Sequence, residues 1–223
     1  VRGQVIKALE AIGLVEDEAS RRSLNSNRYL HSQWTYQRAY EGVAALRPNL
    51  QLELTARAPV RPTETASIGT LADQLAGRTQ AMFWVPVVSV AETLAEKVLS
   101  FLRRFAQHRA GQMQQDWDTA LVRHLYDVHC IASKRPEALS DAVAAFAALT
   151  AGDVDEFGYQ DAAFAADPQR ILGAALHQVG SDAQSHHEYH NVLLPLVYGN
   201  GKFTFEESWA SFEAIAKRLV SAL

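Results

Sequence analysis

The sequence has little of several features that define common protein classes. It contains one cysteine, Cys130, among 223 residues, so an internal disulfide is impossible and a disulfide-rich secreted domain is excluded. Apolar runs such as residues 81–88 are far shorter than the roughly 20 residues that a membrane-spanning helix needs. The sequence therefore predicts a cytoplasmic protein with a reduced thiol and no membrane partner.

Common nucleotide-binding and esterase motifs are also missing. Neither a P-loop, nor Gly-x-Gly-x-x-Gly, nor Gly-x-Ser-x-Gly occurs, which removes the commonest forms of nucleotide and ester chemistry. Two Asp-x-Asp sequences do occur, at residues 116–118 and 153–155. Their settings predict a helix cap at Asp116 and a loop at Asp153, and neither is interpreted as a metal site.

The overall composition is that of an ordinary globular protein. A hydrophobic content of 48% and a charged content of 21% exclude a disordered chain. A net charge of −4 gives no global basic field, so any contact with nucleic acid must come from a local patch. The chain begins at Val1 without a signal peptide, and we interpret it as a piece of a longer protein.

Hydrophobic periodicity predicts a mixed first part and a helical second part. Helices are predicted over residues 4–14, from Ser89 onward, and over 116–132, 136–149, 169–196 and 204–223. Strands are predicted within 28–40, 50–57 and 82–88, an irregular connection over 58–65, and a loop over 152–167. We therefore predict an α+β fold, with a mixed sheet in residues 1–88 and a helical domain in residues 89–223.

Two of the helical segments carry side chains that are candidates for binding or catalysis. Lys97 lies at the flank of an apolar stripe, where a held lysine can neutralise phosphate charge or act as an acid or base. On the helical pattern alone, a lysine whose stem covers the stripe while its ammonium reaches water is favoured. Arg123 and Asp127 form an i, i+4 pair, which contributes only about 0.2–0.5 kcal/mol on a helix surface and indicates no function by itself.

The order of these segments resembles the AbiEii/AbiGii-type nucleotidyltransferases, which are similar to the polymerase-β-like nucleotidyltransferases. The matching segments are Val90-Ala-Glu-Thr-Leu-Ala-Glu-Lys97, Val122-Arg-His-Leu-Tyr-Asp127-Val, Glu188-Tyr189, Val197-Tyr-Gly199 and Phe203-Thr-Phe-Glu-Glu207, with Leu46-Arg-Pro48 and Leu52-Glu53-Leu-Thr-Ala-Arg57 upstream. Glu188 replaces the family's usual aspartate. The family's Gly-Ser turn and Asp-x-Asp strand are expected before Val1 and are not in this sequence.

The resemblance implies both an activity and a set of site residues. The parent protein would use Mg²⁺ to transfer a nucleotide from an NTP to an acceptor hydroxyl, such as that of a tRNA 3′ end. It would act as a toxin in a bacterial toxin–antitoxin or phage-defence system, with a cognate antitoxin as its partner. The implied catalytic residues are Lys97 on the triphosphate, Asp127 beside Lys97 and Glu53 on Mg²⁺, and the implied phosphate-binding residues are Lys97, Arg57, Arg104 and Arg123.

Other interpretations stay open at this point. The chain lacks the main metal-binding carboxylates, so the rival interpretation is a non-catalytic binding or assembly module on the same scaffold, and whether the chain is itself an enzyme is undecided. Without the resemblance, Glu53 would be a solvent-facing strand residue. The basic residues around 97–109 and upstream could line a phosphate groove or form a solvated face. His186 and His190 share a helix face, but His187-Glu188-Tyr189-His190 is one residue short of His-Glu-x-x-His, so packing is favoured over zinc.

Overall fold

A computed structural model describes residues 2–24, 27–37, 49–78, 82–113, 116–199 and 201–223. The chain divides into two compact units, Val1–Ala58 and Pro59–Leu223, and each is described by itself. This division falls earlier in the chain than the boundary after residue 88 that the sequence predicts. The reason is that residues after 58 are tied to the helices: the buried Glu92 carboxylate accepts hydrogen bonds from the backbone N–H groups of Val60 at 2.9 Å and Arg61 at 2.8 Å.

The first unit is a helix followed by an antiparallel sheet. Its elements are α1 (Arg2–Ala11), β1 (Val15–Leu24), β2 (Tyr29–Thr35) and β3 (Leu50–Thr55), with the strand order β1-β2-β3. The central strand alternates as a half-buried strand should, because Leu30, Ser32 and Trp34 are buried. The predictions of α1, β2 and β3 are confirmed. Strand β1 was not predicted, because it is highly polar and mostly exposed, and its register with β2 shifts between Asp17 and Arg22.

The second unit begins with a two-stranded antiparallel sheet and continues with helices. Its elements are β4 (Glu64–Ile68), α2 (Leu71–Leu75), β5 (Phe83–Val87), α3 (Val90–Arg109), α4 (Arg123–Lys134), α5 (Ala138–Phe157), α6 (Ala162–Ala166), α7 (Pro168–Val179), α8 (Ala183–Glu188) and α9 (Phe205–Val220). Strand β5 is confirmed. It accommodates Pro86 because both strands of a two-stranded sheet are edges. Strand β4 begins inside the segment that was predicted to be irregular.

Helix α3 lies at the centre of the second unit. Its buried stripe packs against α4, α5 and α7 and contains Leu94, Val98, Leu99, Phe101, Leu102 and Phe105, each at most 1% exposed. Burying a side chain of this size stabilises a fold by about 1.5–3 kcal/mol. The helix begins after Ser89, whose Oγ accepts a hydrogen bond from the Glu92 N–H at 3.2 Å. The Glu92 side chain holds residues 60 and 61 instead of returning to Ser89, so only half of the predicted capping box forms.

Two helix boundaries differ from the prediction. Helix α5 continues through the predicted loop as far as Phe157, because its buried face extends beyond Leu149 to Asp153. The predicted single helix over 169–196 is broken after Val179, where Asp182 caps the new helix α8 by accepting the Ser185 N–H at 2.8 Å. A π-helical turn over Tyr189–Leu193 and a short 3-10 helix over Leu194–Leu196 follow.

The last helix and the fold class agree with the sequence. Helix α9 has a complete capping box, in which Thr204 Oγ1 accepts the Glu207 N–H at 3.1 Å and the Glu207 carboxylate accepts the Thr204 N–H at 2.8 Å. The α+β class is confirmed. Within the described ranges, every helix is too short or too polar to cross a membrane.

Candidate functional site

The predicted lysine and aspartate meet on facing helices. Lys97 on α3 donates from Nζ to Asp127 Oδ2 on α4 at 2.6 Å, the length of a strong charge-assisted hydrogen bond. The Lys97 side chain is 24% exposed and the Asp127 side chain 36% exposed, so both can reach a solute. The prediction that Lys97 is semi-buried and approaches Asp127 is confirmed. The sequence-adjacent partner Arg123 instead lies 3.9 Å from a different carboxylate, that of Asp118.

A second carboxylate lies between two arginines next to this pair. The Oδ2 atom of Asp118 is 3.5 Å from Arg104 Nη2 and 3.9 Å from Arg123 Nη2. Arg104 is on α3 seven residues after Lys97, which places both on one face of that helix. We refer to Lys97, Arg104 and Arg123 as the cationic cluster. All three side chains are partly exposed, Arg123 most of all at 51%.

The positive charges of the cationic cluster affect the pKa of the His124 imidazole. It occupies the second position of α4, and its Nδ1 atom is buried without a hydrogen-bond partner among the described residues. Burial, together with the positive charges of Lys97, Arg123 and Arg104, lowers the pKa of His124 to about 3. His124 is therefore neutral at physiological pH, and adds no positive charge to the cluster.

The segment before α4 is fixed by a buried carboxylate that sequence reasoning left without a role. Trp117 Nε1 donates to both oxygens of Glu188, at 2.8 and 3.0 Å, and Gln184 Nε2 donates to one of them at 2.9 Å. The Trp117 ring also stacks on His108, with 4.4 Å between centroids. The next residue, Asp118, caps the 3-10 helix Thr119–Val122 by accepting the Ala120 N–H at 3.0 Å. The cap is thus Asp118, and the prediction that Asp116 fills this role is wrong.

Some of the basic residues grouped by sequence do not join the cluster. Arg103 is buried, and its Nε donates to Asp153 Oδ2 at 3.0 Å while the guanidinium lies 4.1 Å from the centre of the Phe157 ring. Arg109 pairs with Asp182 at 3.4 Å. The basic run at the end of α3 is therefore not one phosphate-binding surface.

The predicted residues of the first unit lie on or just after β3. Glu53 is exposed, opposite His31 in the sheet register, and its carboxylate accepts a hydrogen bond from Gln51. Burial raises the pKa of Tyr29, and the neighbouring Glu53 carboxylate raises it further. Arg57 follows the strand and is half-buried. Both belong to a different compact unit from the cationic cluster.

A magnesium site needs several oxygen ligands close together, mainly carboxylates. Across the described ranges, His, Cys, Asp and Glu side chains nowhere gather in threes in a way that could hold a metal ion. Glu53 is instead engaged by Gln51. These residues do not fit a magnesium site, and the assignment of Glu53 as a ligand stays a prediction from the resemblance.

One histidine of the cluster near residue 187 is used for packing. The His186 ring packs against Phe205 with 3.7 Å between ring centroids, and its Nε2 lies 3.1 Å from the Gly180 carbonyl oxygen. Tyr189 is buried and its hydroxyl contacts Ser208 Oγ at 2.6 Å; burial raises the pKa of Tyr189 to about 12. The packing interpretation therefore holds for His186, while His187 and His190 are exposed.

A shallow groove lies elsewhere on the second unit. It has a volume of about 440 Å³ and is lined by Ser140, Val143, Lys217, Arg218 and Ser221. None of the predicted site residues lines it. The candidate site at Lys97 and Asp127 is therefore identified from its charges and contacts, and this groove is separate from it.

The arrangement is suited to holding an anion with several negative charges. Three partly exposed cations lie beside two carboxylates, so the cluster keeps a net positive charge. An ammonium with three donors can keep Asp127 and still donate to a phosphate, and guanidinium groups bind phosphate oxygens in a planar fork. Fold and site together define an α+β protein with a partly exposed Lys–Asp pair on facing helices.

Comparison with known proteins assigns the chain to a family. The family model described as "Nucleotidyl transferase AbiEii toxin, Type IV TA system" matches residues 3–218. The chain belongs to this family of nucleotidyltransferase-like toxins, as its Lys97 and Asp127 segments predict. No curated protein and no solved structure matches it significantly.

Proposed function

We propose that the protein carrying this chain transfers a nucleotide from an NTP to an acceptor hydroxyl, as the toxin of a type IV toxin–antitoxin system. The observation that carries the proposal is the 2.6 Å contact between Lys97 and Asp127, formed on facing helices by the two residues that match the family's motifs. The contact is partly exposed, as a site for a soluble ligand must be.

In this proposal Lys97 is the group that contacts the triphosphate. Its ammonium supplies a compact positive charge to oxygens whose negative charge is redistributed as the nucleotidyl group is transferred. Such preorganised charge lowers a barrier because it needs no reorientation during the reaction. Arg104 and Arg123 extend the positive surface and bind further phosphate oxygens. The phosphate-binding role that the resemblance implies for Arg57 stays a prediction.

Asp127 is proposed to act through Lys97. Its carboxylate accepts one hydrogen bond from the ammonium, which orients the lysine. The remaining ammonium hydrogens are then free to turn towards the ligand. The assistance of Asp127 in deprotonating the acceptor is the other role that the resemblance implies.

The remaining parts of the proposal rest on the family. The resemblance implies Mg²⁺ with Glu53 as a ligand, which the described side chains do not support, and the 3′ end of a tRNA as the acceptor. A cognate antitoxin would counter the activity in the cytoplasm. The described residues supply no set of magnesium ligands, so no step above depends on a metal.

The experiment is nucleotide transfer by the intact protein. Purified protein is incubated with each labelled NTP, Mg²⁺ and total RNA, and label in RNA is measured for wild type, Lys97→Met and Lys217→Met. Lys217 is the matched control because it also forms a helix-borne ion pair, with Glu213 at 2.9 Å, outside the cationic cluster. We expect Lys97→Met to abolish transfer and Lys217→Met to retain it. Full transfer by Lys97→Met would contradict the proposed role.

A second candidate function is a binding module that holds a nucleotide or its polyphosphate without transferring it. It is favoured by the lack of a three-ligand metal cluster among the described side chains. The same assay separates the two functions, because the binding module would bind an NTP in a Lys97-dependent way and label no acceptor. For the chain of residues 1–223 alone, we expect this second result.

A further inference from the structure

Asp118 is a negatively charged side chain placed where a phosphate would be expected to bind. Its Oδ2 atom faces Arg104 Nη2 at 3.5 Å and Arg123 Nη2 at 3.9 Å. Charge-assisted hydrogen bonds between a cationic nitrogen and a carboxylate are usually about 2.7–2.9 Å long. The carboxylate therefore neutralises both guanidinium groups in part and saturates neither.

The backbone holds Asp118 at this distance. Its other oxygen, Oδ1, caps the 3-10 helix by accepting the Ala120 N–H at 3.0 Å. The preceding residue, Trp117, is anchored by the carboxylate of Glu188, which is 4% exposed. The Asp118 side chain thus cannot move towards the arginines or away from them without losing its hydrogen bond to the Ala120 N–H.

We propose that Asp118 is a built-in counter-ion of the cationic cluster, which competes with incoming phosphate for Arg104 and Arg123 and so sets the affinity of the site for polyphosphate. This inference rests on the proposed function, because it takes the cluster as the phosphate-binding surface. The substitution of a carboxylate normally weakens a site built around it. Here the sign is opposite, because removing the Asp118 charge should strengthen the binding of an anion.

The size of the effect follows from Coulomb's law. A phosphate charge about 5–6 Å from the carboxylate, at a partly exposed site in low salt, is repelled enough to weaken binding about threefold to tenfold per charge. Asp118→Asn removes this repulsion while the amide oxygen can still cap the Ala120 N–H, since asparagine is as good a cap as aspartate. The effect should shrink as salt is added.

The test is calorimetric binding of tripolyphosphate to the protein in low-salt buffer with EDTA, so that no metal contributes. Asp118→Asn should bind at least about threefold more tightly than wild type. Asp167→Asn is the matched control, because Asp167 caps α7 through the Arg170 N–H at 3.0 Å and lies 3.4 Å from the same arginine's Nε. It should leave the affinity unchanged, and both variants should melt like wild type.

Three outcomes would overturn the inference. If Asp118→Asn binds tripolyphosphate no better than wild type while Arg104→Gln weakens binding, Asp118 is not a competitor, but the phosphate site stands. If neither Asp118→Asn nor Arg104→Gln nor Lys97→Met changes the affinity, both the inference and the phosphate-binding role of the cluster fail. If neither wild type nor Asp118→Asn binds, removing the charge did not open the cluster, and the inference fails as well.

Discussion

Replacing Lys97 by methionine separates a phosphate-binding lysine from one that only covers apolar surface. Methionine keeps an unbranched stem and a similar helix propensity, so packing on α3 is retained. What is lost is an ion pair whose side chains are 24% and 36% exposed, and pairs this accessible contribute about 0–1 kcal/mol to stability. A loss of about 1 kcal/mol lowers the melting temperature of a domain of this size by about 2–4 °C.

The expected effect on activity is far larger. Removing one preorganised charge of the protein that contacts the reacting phosphate typically slows the reaction by about 10²–10³-fold. Label transfer and growth inhibition by the intact protein should fall by this factor for Lys97→Met. A double-mutant cycle then tests the role of Asp127: if it acts only through Lys97, Asp127→Asn slows the wild type and has little further effect in the Lys97→Met protein.

The result that refutes this reasoning is specific. A Lys97→Met protein that melts within a few degrees of wild type and keeps its full transfer rate shows that the lysine is structural. Additive losses in the double-mutant cycle would instead leave Lys97 in the site and give Asp127 an independent function. A large drop in melting temperature would show that the ion pair supports the fold, and the rate would then be compared at a temperature where both proteins are folded.

Three other substitutions have outcomes that the contacts determine. Arg103→Met should cost about 3–5 kcal/mol in urea unfolding, because it takes the guanidinium away from the buried Asp153 carboxylate, and Arg103→Met with Asp153→Leu should recover most of this loss. The lowered pKa of His124 means that the unfolded chain takes up a proton below about pH 6.5 that the folded chain refuses, so stability falls with decreasing pH by up to about 1.4 kcal/mol per unit towards pH 3. In equilibrium unfolding, His124→Phe should lose less stability than wild type as the pH falls below about 6.5, and an unchanged slope would contradict the burial of a neutral imidazole. Glu188→Gln should cost about 1–3 kcal/mol in the same assay, because the amide cannot accept all the N–H groups that now point at the carboxylate.

The sequence predicted the parts of the site that depend on helical spacing. Lys97 and Asp127 each lie in a segment with a clear apolar stripe, and their order along the chain matches the family's motifs, so their meeting could be expected. The environment of the site could not be predicted in this way. Trp117 and Glu188 are 71 residues apart, and their contact depends on a helix break near Asp182 that the continuous helical pattern concealed.

Local composition also failed where the fold uses polar residues for structure. Strand β1 has the sequence VEDEASRRSL, which gives no apolar alternation, and it is held by pairing with β2 rather than by burial. The choice between Asp116 and Asp118 as the cap is set by one hydrogen bond to the Ala120 N–H. Either aspartate satisfies the sequence pattern, so only the backbone conformation distinguishes them.

Two neighbouring arginines show how helical phase divides structure from function on α3. Consecutive residues of an α-helix are rotated by about 100°, so Arg103 and Arg104 must face different surroundings. Arg103 turns into the core, where Asp153 neutralises it, and its side chain is 8% exposed. Arg104 turns to the side of Lys97, where it is 28% exposed and only loosely paired with Asp118. A tightly paired, buried cation has no donor to offer a ligand without a large desolvation cost, whereas a loosely paired, accessible one does. The contribution of α3 to the cationic cluster is therefore set by the one face that carries Lys97 and Arg104, and not by the number of basic residues in the helix.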